Sequence, residues 1–287
     1  RMEIGGALGS EPPGGEVRAA WSGFNLARLN PWFDGVIVTG ASAGNMRLRF
    51  PAGESPVFSG SARATGTLRA KEFGMILERS SLELEGSERG LRVSAEVRPA
   101  GGGVLTGHFA SPGEGRLAVP QAGEGTIQWE GIDAALFRRW LPPEVGLDGR
   151  LGGRIAGKLL TGERLDLTGA FSLDRGAIRW RNEGSAFSAH LQKAEFSWGW
   201  QGAFGSAAAI RAGRLTGAGR ARATGTLTVD GRTIGLDGIA ASVDGNDRGM
   251  QAAIELALAG GGAVKGRFLA PGASFFSIPE KGEADLE

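Results

Sequence analysis

The sequence predicts a mainly β protein, in which a long, strongly curved antiparallel sheet forms a U-shaped groove or a flattened tube with an apolar interior. Three observations lead there. Glycine makes up 51 of 287 residues, about 18 % against a usual share of about 7 %. It follows no three-residue period and Pro numbers only 12, which excludes collagen, while a hydrophobic share of 41 % excludes a disordered chain. Apolar and polar residues alternate with period two along most of the chain, and the alternation recurs in an internal repeat.

Taken in order, the first strands flank a header, Trp21-Ser-Gly-Phe-Asn25, and a short helix near 25–33 that Asn25 caps and Pro31 stops. Met46-Arg-Leu-Arg-Phe50 follows as a strand, then Leu82-Glu-Leu-Glu85 and Leu91-Arg-Val-Ser-Ala-Glu-Val97. A second header, Trp129-Glu-Gly-Ile-Asp133, opens a second helix near 133–141, capped by Asp133 and stopped by Pro142-Pro143. Leu165-Asp-Leu167, Ile254-Glu-Leu-Ala-Leu258 and Val264-Lys-Gly-Arg-Phe268 alternate in the same way. Asp230-Gly231, between Thr226-Leu-Thr-Val229 and Arg232-Thr-Ile-Gly-Leu236, is a two-residue hairpin signal, and two six-residue loops, 85–90 and 244–249, join the strands around them. Strands of about 8–10 residues would number roughly 20, and an open twisted sheet of that size must curl, split or close.

The repeat has two offsets. Residues 60–113 match 219–272 without a gap at an offset of 159, and Ala-Arg-Ala-Thr-Gly-Thr-Leu is identical in both, at 62–68 and 221–227. At an offset of 108, Trp21 and Trp32 fall on Trp129 and Trp140, which are expected to anchor the repeat by packing. Pro12, Gly15 and Glu16 recur as Pro120, Gly123 and Glu124, and again as Pro279, Gly282 and Glu283. The chain therefore reads as one continuous array, 1–287, cut from a longer protein. Its first unit spans about 15–122 and its second about 123–281, the second carrying about 51 extra residues (159 − 108) within 157–205.

Charge excludes one class of partner. Lys and Arg total 32 against 31 Asp and Glu, and the cations are scattered singly, so no basic stripe tracks a nucleic-acid backbone. Absence of Cys removes disulfides and thiol chemistry. Motifs with catalytic or metal associations read as structure. Gly40-Ala-Ser42-Ala-Gly44 fits a nucleophile elbow, but a strand rather than a helix follows, and it reads as a tight turn. Gly152-Gly-Arg-Ile-Ala-Gly157-Lys158 resembles a phosphate loop, yet Leu159 stands where the hydroxyl is needed. Asp244 to Glu255 nearly spells a calcium loop, but Arg248 puts a cation at a ligand position. His108 aligns with Arg267 and reads as a surface residue; His190 has no partner. No catalytic residue, metal or cofactor is expected.

The glycine-rich β repeats, the Trp-x-Gly-[Phe/Ile]-[Asn/Asp] header with its short helix and further Trp, and glycine-spaced strands such as Leu147 to Gly157 and Leu165 to Phe171 together resemble the TamB/AsmA-like superfamily of Gram-negative envelope proteins. That resemblance implies a U-shaped β-taco with a hydrophobic inside, in a periplasmic protein anchored in the inner membrane and reaching an Omp85-type outer-membrane partner. It further implies roles in phospholipid transport and in autotransporter or outer-membrane protein assembly. Anchor and partner contact would lie outside this stretch.

The expected lining of the groove is the apolar parity of each strand. In the first unit it comprises Met46, Leu48 and Phe50, then Leu82 and Leu84, then Leu91, Val93 and Val97. In the second it comprises Leu165, Leu167 and Phe171, then Phe196, Trp198 and Trp200, then Ile254, Leu256 and Leu258, and last Val264 and Phe268. Acyl chains are the expected cargo, and many small Ala and Gly residues beside these would leave room for it. The alternative is a structural solenoid or stalk with a dry, filled core and no lipid.

Overall fold

The computed structural model describes residues 2–10, 13–32, 35–70, 73–113, 121–136, 143–160, 164–182, 185–203, 213–246, 249–271 and 283–286. Sixteen strands pair in sequence order without a crossover, and every register recorded is antiparallel, as hairpin-linked strands require. The chain divides into two compact units, residues 1–129 with 156–163, and 130–155 with 164–287. Strands β1 (Met2–Ser10), β2 (Pro13–Asn25), β3 (Val36–Phe50), β4 (Val57–Ala70), β5 (Phe73–Ser87), β6 (Gly90–Pro99) and β7 (Val104–Pro112) build the first. Strands β8 (Gly123–Asp133) and β9 (Val145–Leu160) contribute to both. The second is completed by β10 (Arg164–Asn182), β11 (Ser185–Ala203), β12 (Arg214–Val229), β13 (Arg232–Asn246), β14 (Gly249–Leu258), β15 (Ala263–Pro271) and β16 (Glu283–Leu286). In each unit the sheet is open and does not close into a tube.

Strands reach 19 residues, so they are fewer and longer than the 8–10 residues expected. One glycine-rich run that reads as a turn lies inside a strand instead: Gly40 to Gly44 stands in the middle of β3. Gly152 to Lys158, whose alternation reads as a strand, lies within β9 as expected. The loop expected over 85–90 shrinks to two residues, Glu88 and Arg89, between β5 and β6; of its counterpart, 247–248 lie outside the described residues. At Asp230-Gly231 both φ values are positive, 48° and 77°, as the tight primed turn of a two-residue hairpin demands.

Shifted by 159, the bounds of β5, β6 and β7 coincide with those of β13, β14 and β15. The hairpin β10 to β11 accounts for the extra length of the second unit. It adds two strands, which leaves the direction of every later strand unchanged.

A second regularity runs across the strands. Extra residues interrupt the ladder at Glu78 of β5 and, 159 residues on, at Asp237 of β13. Neighbouring irregularities fall at Arg175 of β10, where φ is 50°, and at Gln192 of β11. Each is a bulge, which bends its strand and sharpens the twist. The buried core of the second unit lies along this crease: Leu173, Ala189, Leu191, Ala223, Leu236, Ile239 and Ala134.

Both headers are capped, and the second closes on the crease of its unit through Ala134. In the first, the Asn25 side-chain oxygen accepts from the Ala27 amide at 3.0 Å and Leu26 is buried; in the second, Asp133 accepts from Ala135 at 2.9 Å and Ala134 is buried. The helix that follows Asn25 is a 3-10 helix, Leu26–Trp32, and runs through Pro31 rather than ending there, because the fixed φ of proline suits a 3-10 turn and costs one donor only. In the second header 134–136 take the same form, and 137–142, with Trp140, lie outside the described residues.

Next to the crease, Gly66 and Gly225 hold the same repeat position. A Cβ at Gly225 would collide with the Ser188 carbonyl of the adjoining strand, as one at Gly66 would with Thr39. Gly225→Ala is expected to destabilise by about 1–3 kcal/mol through overpacking. Gly260→Ala, with nothing within 4 Å, is expected to change stability little. Urea unfolding of both variants checks the contrast.

Candidate functional site

The candidate site is a sheet face. Residues paired across an antiparallel ladder share a face, and alternate residues of a strand do likewise. In the first unit the registers Val17↔Leu48, Leu48↔Phe58, Phe58↔Gly86 and Gly86↔Leu91 carry one face from β2 to β6. Met46, Leu48, Phe50, Leu82, Leu84, Leu91, Val93 and Val97 all fall on it. In the second unit Phe171↔Phe196, Phe196↔Gly219, Gly219↔Val243, Val243↔Ala252 and Ala252↔Phe268 do the same from β10 to β15. Leu165, Leu167, Trp198, Trp200, Ile254, Leu256, Leu258 and Val264 share that face. Opposite the apolar face lie Arg214, Thr216, Arg220, Arg222, Thr224, Thr226 and Thr228 of β12 in the second unit, and Glu83, Glu85, Arg92, Ser94 and Glu96 of β5 and β6 in the first.

The apolar face is only partly covered. Met46, Phe50, Leu82, Phe171 and Ile254 are each between 38 % and 42 % exposed, and among the described residues no large side chain is fully buried. Trp200 is buried, Phe196 and Trp198 half-buried.

Glycine provides the room in which the aromatic rings lie. Trp21 stands opposite Gly44, Trp198 opposite Gly169, Phe58 opposite Gly86 and Phe196 opposite Gly219. A Cβ at any of these glycines would meet the ring of its partner within 3 Å. Each ring lies flat across the neighbouring backbone, as an aromatic rescuing a strand glycine does. Phe171 and Phe196 stack at 4.9 Å. Trp21 also donates from Nε1 to Ser42 Oγ at 3.1 Å, and Ser42 is buried. That serine is a packing partner inside a strand. Trp129 is half-buried, whereas Trp32 is 79 % exposed and does not anchor the repeat by packing: the 3-10 helix turns Leu26, not Trp32, inward.

In the second unit the apolar face hollows into a trough of about 580 Å³ between Phe196 of β11 and Phe268 of β15. Its floor is Gly219, Ala221, Ala241, Ala252 and Gly266, with Val243 and Ile254 beside them. The expected lining includes Phe196, Ile254 and Phe268 of this set but neither Val243 nor the small residues, although the Ala-Arg-Ala-Thr-Gly repeat holds Ala221.

Ionic chemistry concentrates on the polar face. Glu16 of β2 is held by Arg47 at 2.6 Å, by Arg49 at 3.5 Å and by a close contact from Arg18. Hydrogen bonds from Arg47 and then Arg18 lower its carboxyl from the ordinary 4.5 to about 2. His108 and His190 are exposed on that same face. Comparison with family models, curated proteins and solved structures finds no match to the chain.

A carboxyl depressed on folding stabilises above its ordinary pKa and loses that contribution as pH falls through the folded value. Glu16→Gln is therefore expected to lower the melting temperature slightly near neutral pH. The gap between variant and parent should close as pH falls from 4.5 towards about 2. Melting curves followed by circular dichroism across that range check it.

Proposed function

We propose that the apolar sheet face is a surface for phospholipid acyl chains, in a periplasmic envelope protein of the TamB/AsmA-like kind that moves lipid between membranes or assists outer-membrane protein assembly. The observation that carries the reading is one-sidedness: strand after strand, apolar residues share a face that, among the described residues, no second layer of the same unit covers, while the opposite face carries mainly charge and threonine, with Ile37, Ile76 and Leu269 as its exposed apolar exceptions. A dry stalk would bury its large side chains, and here five of them stay about two-fifths exposed.

The chemistry needs no reactive group. Each methylene moved from water onto such a face contributes about 0.8 kcal/mol, so a chain of many methylenes is held firmly while any one contact is weak. Weak individual contacts let a chain slide along the face. Headgroups stay in water at its open border, where charged side chains of the other face are within reach.

The test is native mass spectrometry, with lipid extraction, of the protein expressed in a Gram-negative periplasm. The parent is expected to carry phospholipid. Phe50→Asp and Phe171→Asp place a charge among acyl chains at partly exposed positions, and each should cut retained lipid by roughly half or more in variants whose fold circular dichroism verifies. Folded variants with undiminished lipid, or a folded parent without any, would contradict the proposal.

A further inference from the structure

The repeat allows the two units to be compared position by position, and the trough marks where they differ. Gly60, Ala62, Gly107 and Phe109 of the first unit correspond, 159 residues on, to Gly219, Ala221, Gly266 and Phe268 of the second. Around that common frame the first unit presents Leu82, Leu84 and Val93 on the same face, and the second presents Ala241, Val243 and Ala252. Side chains that fill the first unit are cut back in the second. Ile254, in place of Ala95, stands at the margin of the space.

We infer that the second unit holds a discrete seat for a single acyl chain, specified by Ala241, Val243 and Ala252, and that the first unit lacks it because Leu82, Leu84 and Val93 occupy the equivalent volume. This inference rests on the proposed lipid-carrying face and localises it. Three features fit one chain. Between Phe196 and Phe268 the trough crosses from β11 to β15, four strand spacings or about 19 Å, and Asp285 of β16 borders it beyond Phe268. One leaflet of a bilayer gives its chains about 15 Å, half the hydrocarbon thickness, so a chain lying across the strands is accommodated. The volume of about 580 Å³ lies within the range of small-ligand sites. Finally, Phe196, leaning over Gly219 and stacked on Phe171, makes a rigid end wall.

The residues of the two units can be exchanged to test this. The probe is 1-palmitoyl lysophosphatidylethanolamine, which has one acyl chain, titrated into the delipidated 287-residue chain and counted by native mass spectrometry. The parent is expected to bind one molecule saturably. Ala241→Leu with Ala252→Val should weaken that binding by roughly tenfold or more, and Leu82→Ala with Leu84→Val and Val93→Ala should add a second saturable site. The second variant gains binding, so loss of fold cannot mimic its result; circular dichroism verifies the first. Undiminished single-site binding by folded Ala241→Leu/Ala252→Val, or no added site in the first-unit variant, overturns the seat while leaving the wider lipid face standing. No binding by the parent overturns both.

Discussion

A residue added to one strand sends every later side chain of that strand to the other face of the sheet. These strands break parity in sequence: Phe171 and Leu173 are followed by Gly176, Ile178 and Trp180 on β10, and Phe187, Ala189 and Leu191 by Ala194, Phe196 and Trp198 on β11. Bulges at Arg175 and Gln192 absorb the odd residue in both strands at one level, so the ladder resumes in phase and all of these residues remain on one side. The apolar face, the crease and the buried cluster depend on that alignment. Where strands bend together their side chains converge, and there the second unit finds its only described core cluster.

Glycine serves the same end from two directions. At Gly66 and Gly225 it lets strands approach beside the crease, and opposite Trp21, Phe58, Phe196 and Trp198 it gives a ring a bed on the neighbouring backbone. Both uses keep the apolar face low in relief. A face built in this way has little to bury its own side chains against, which is why aromatic residues that would fill a core in a two-layer fold stay partly open here. The repeat then needs few changes to alter local depth, because trimming a leucine to alanine on a shallow face opens space that no second layer among the described residues can collapse into.

Much of the fold is legible in the residues themselves. Period-two alternation identifies the strands and their shared face, Asp230-Gly231 its turn, and Asn25 and Asp133 their caps, since each is a local signal. The change of offset from 108 to 159 falls where the hairpin β10 to β11 stands. Bulges escape such reading because an extra residue is defined only against its partner strand. Strand length escapes it too: Gly40 to Gly44 reads as a turn, and nothing local marks Gly66 and Gly225 as close-approach positions inside strands until cross-strand contact shows it. The trough was legible only in part. Phe196, Ile254 and Phe268 stand out as apolar, but a floor of Ala and Gly is recognised only once register sets Ala241 opposite Ile254 and Ala252 opposite Val243.

The central claim is that one parity of each strand, and not the other, meets lipid. Photo-crosslinking along β14 in a living envelope tests it most directly, with a benzophenone side chain placed in turn at positions 251 to 256. The account predicts phospholipid adducts at Ala252, Ile254 and Leu256, and none at Gln251, Ala253 and Glu255, which register assigns to the polar face. Adducts without alternation, or at the second set alone, would contradict it.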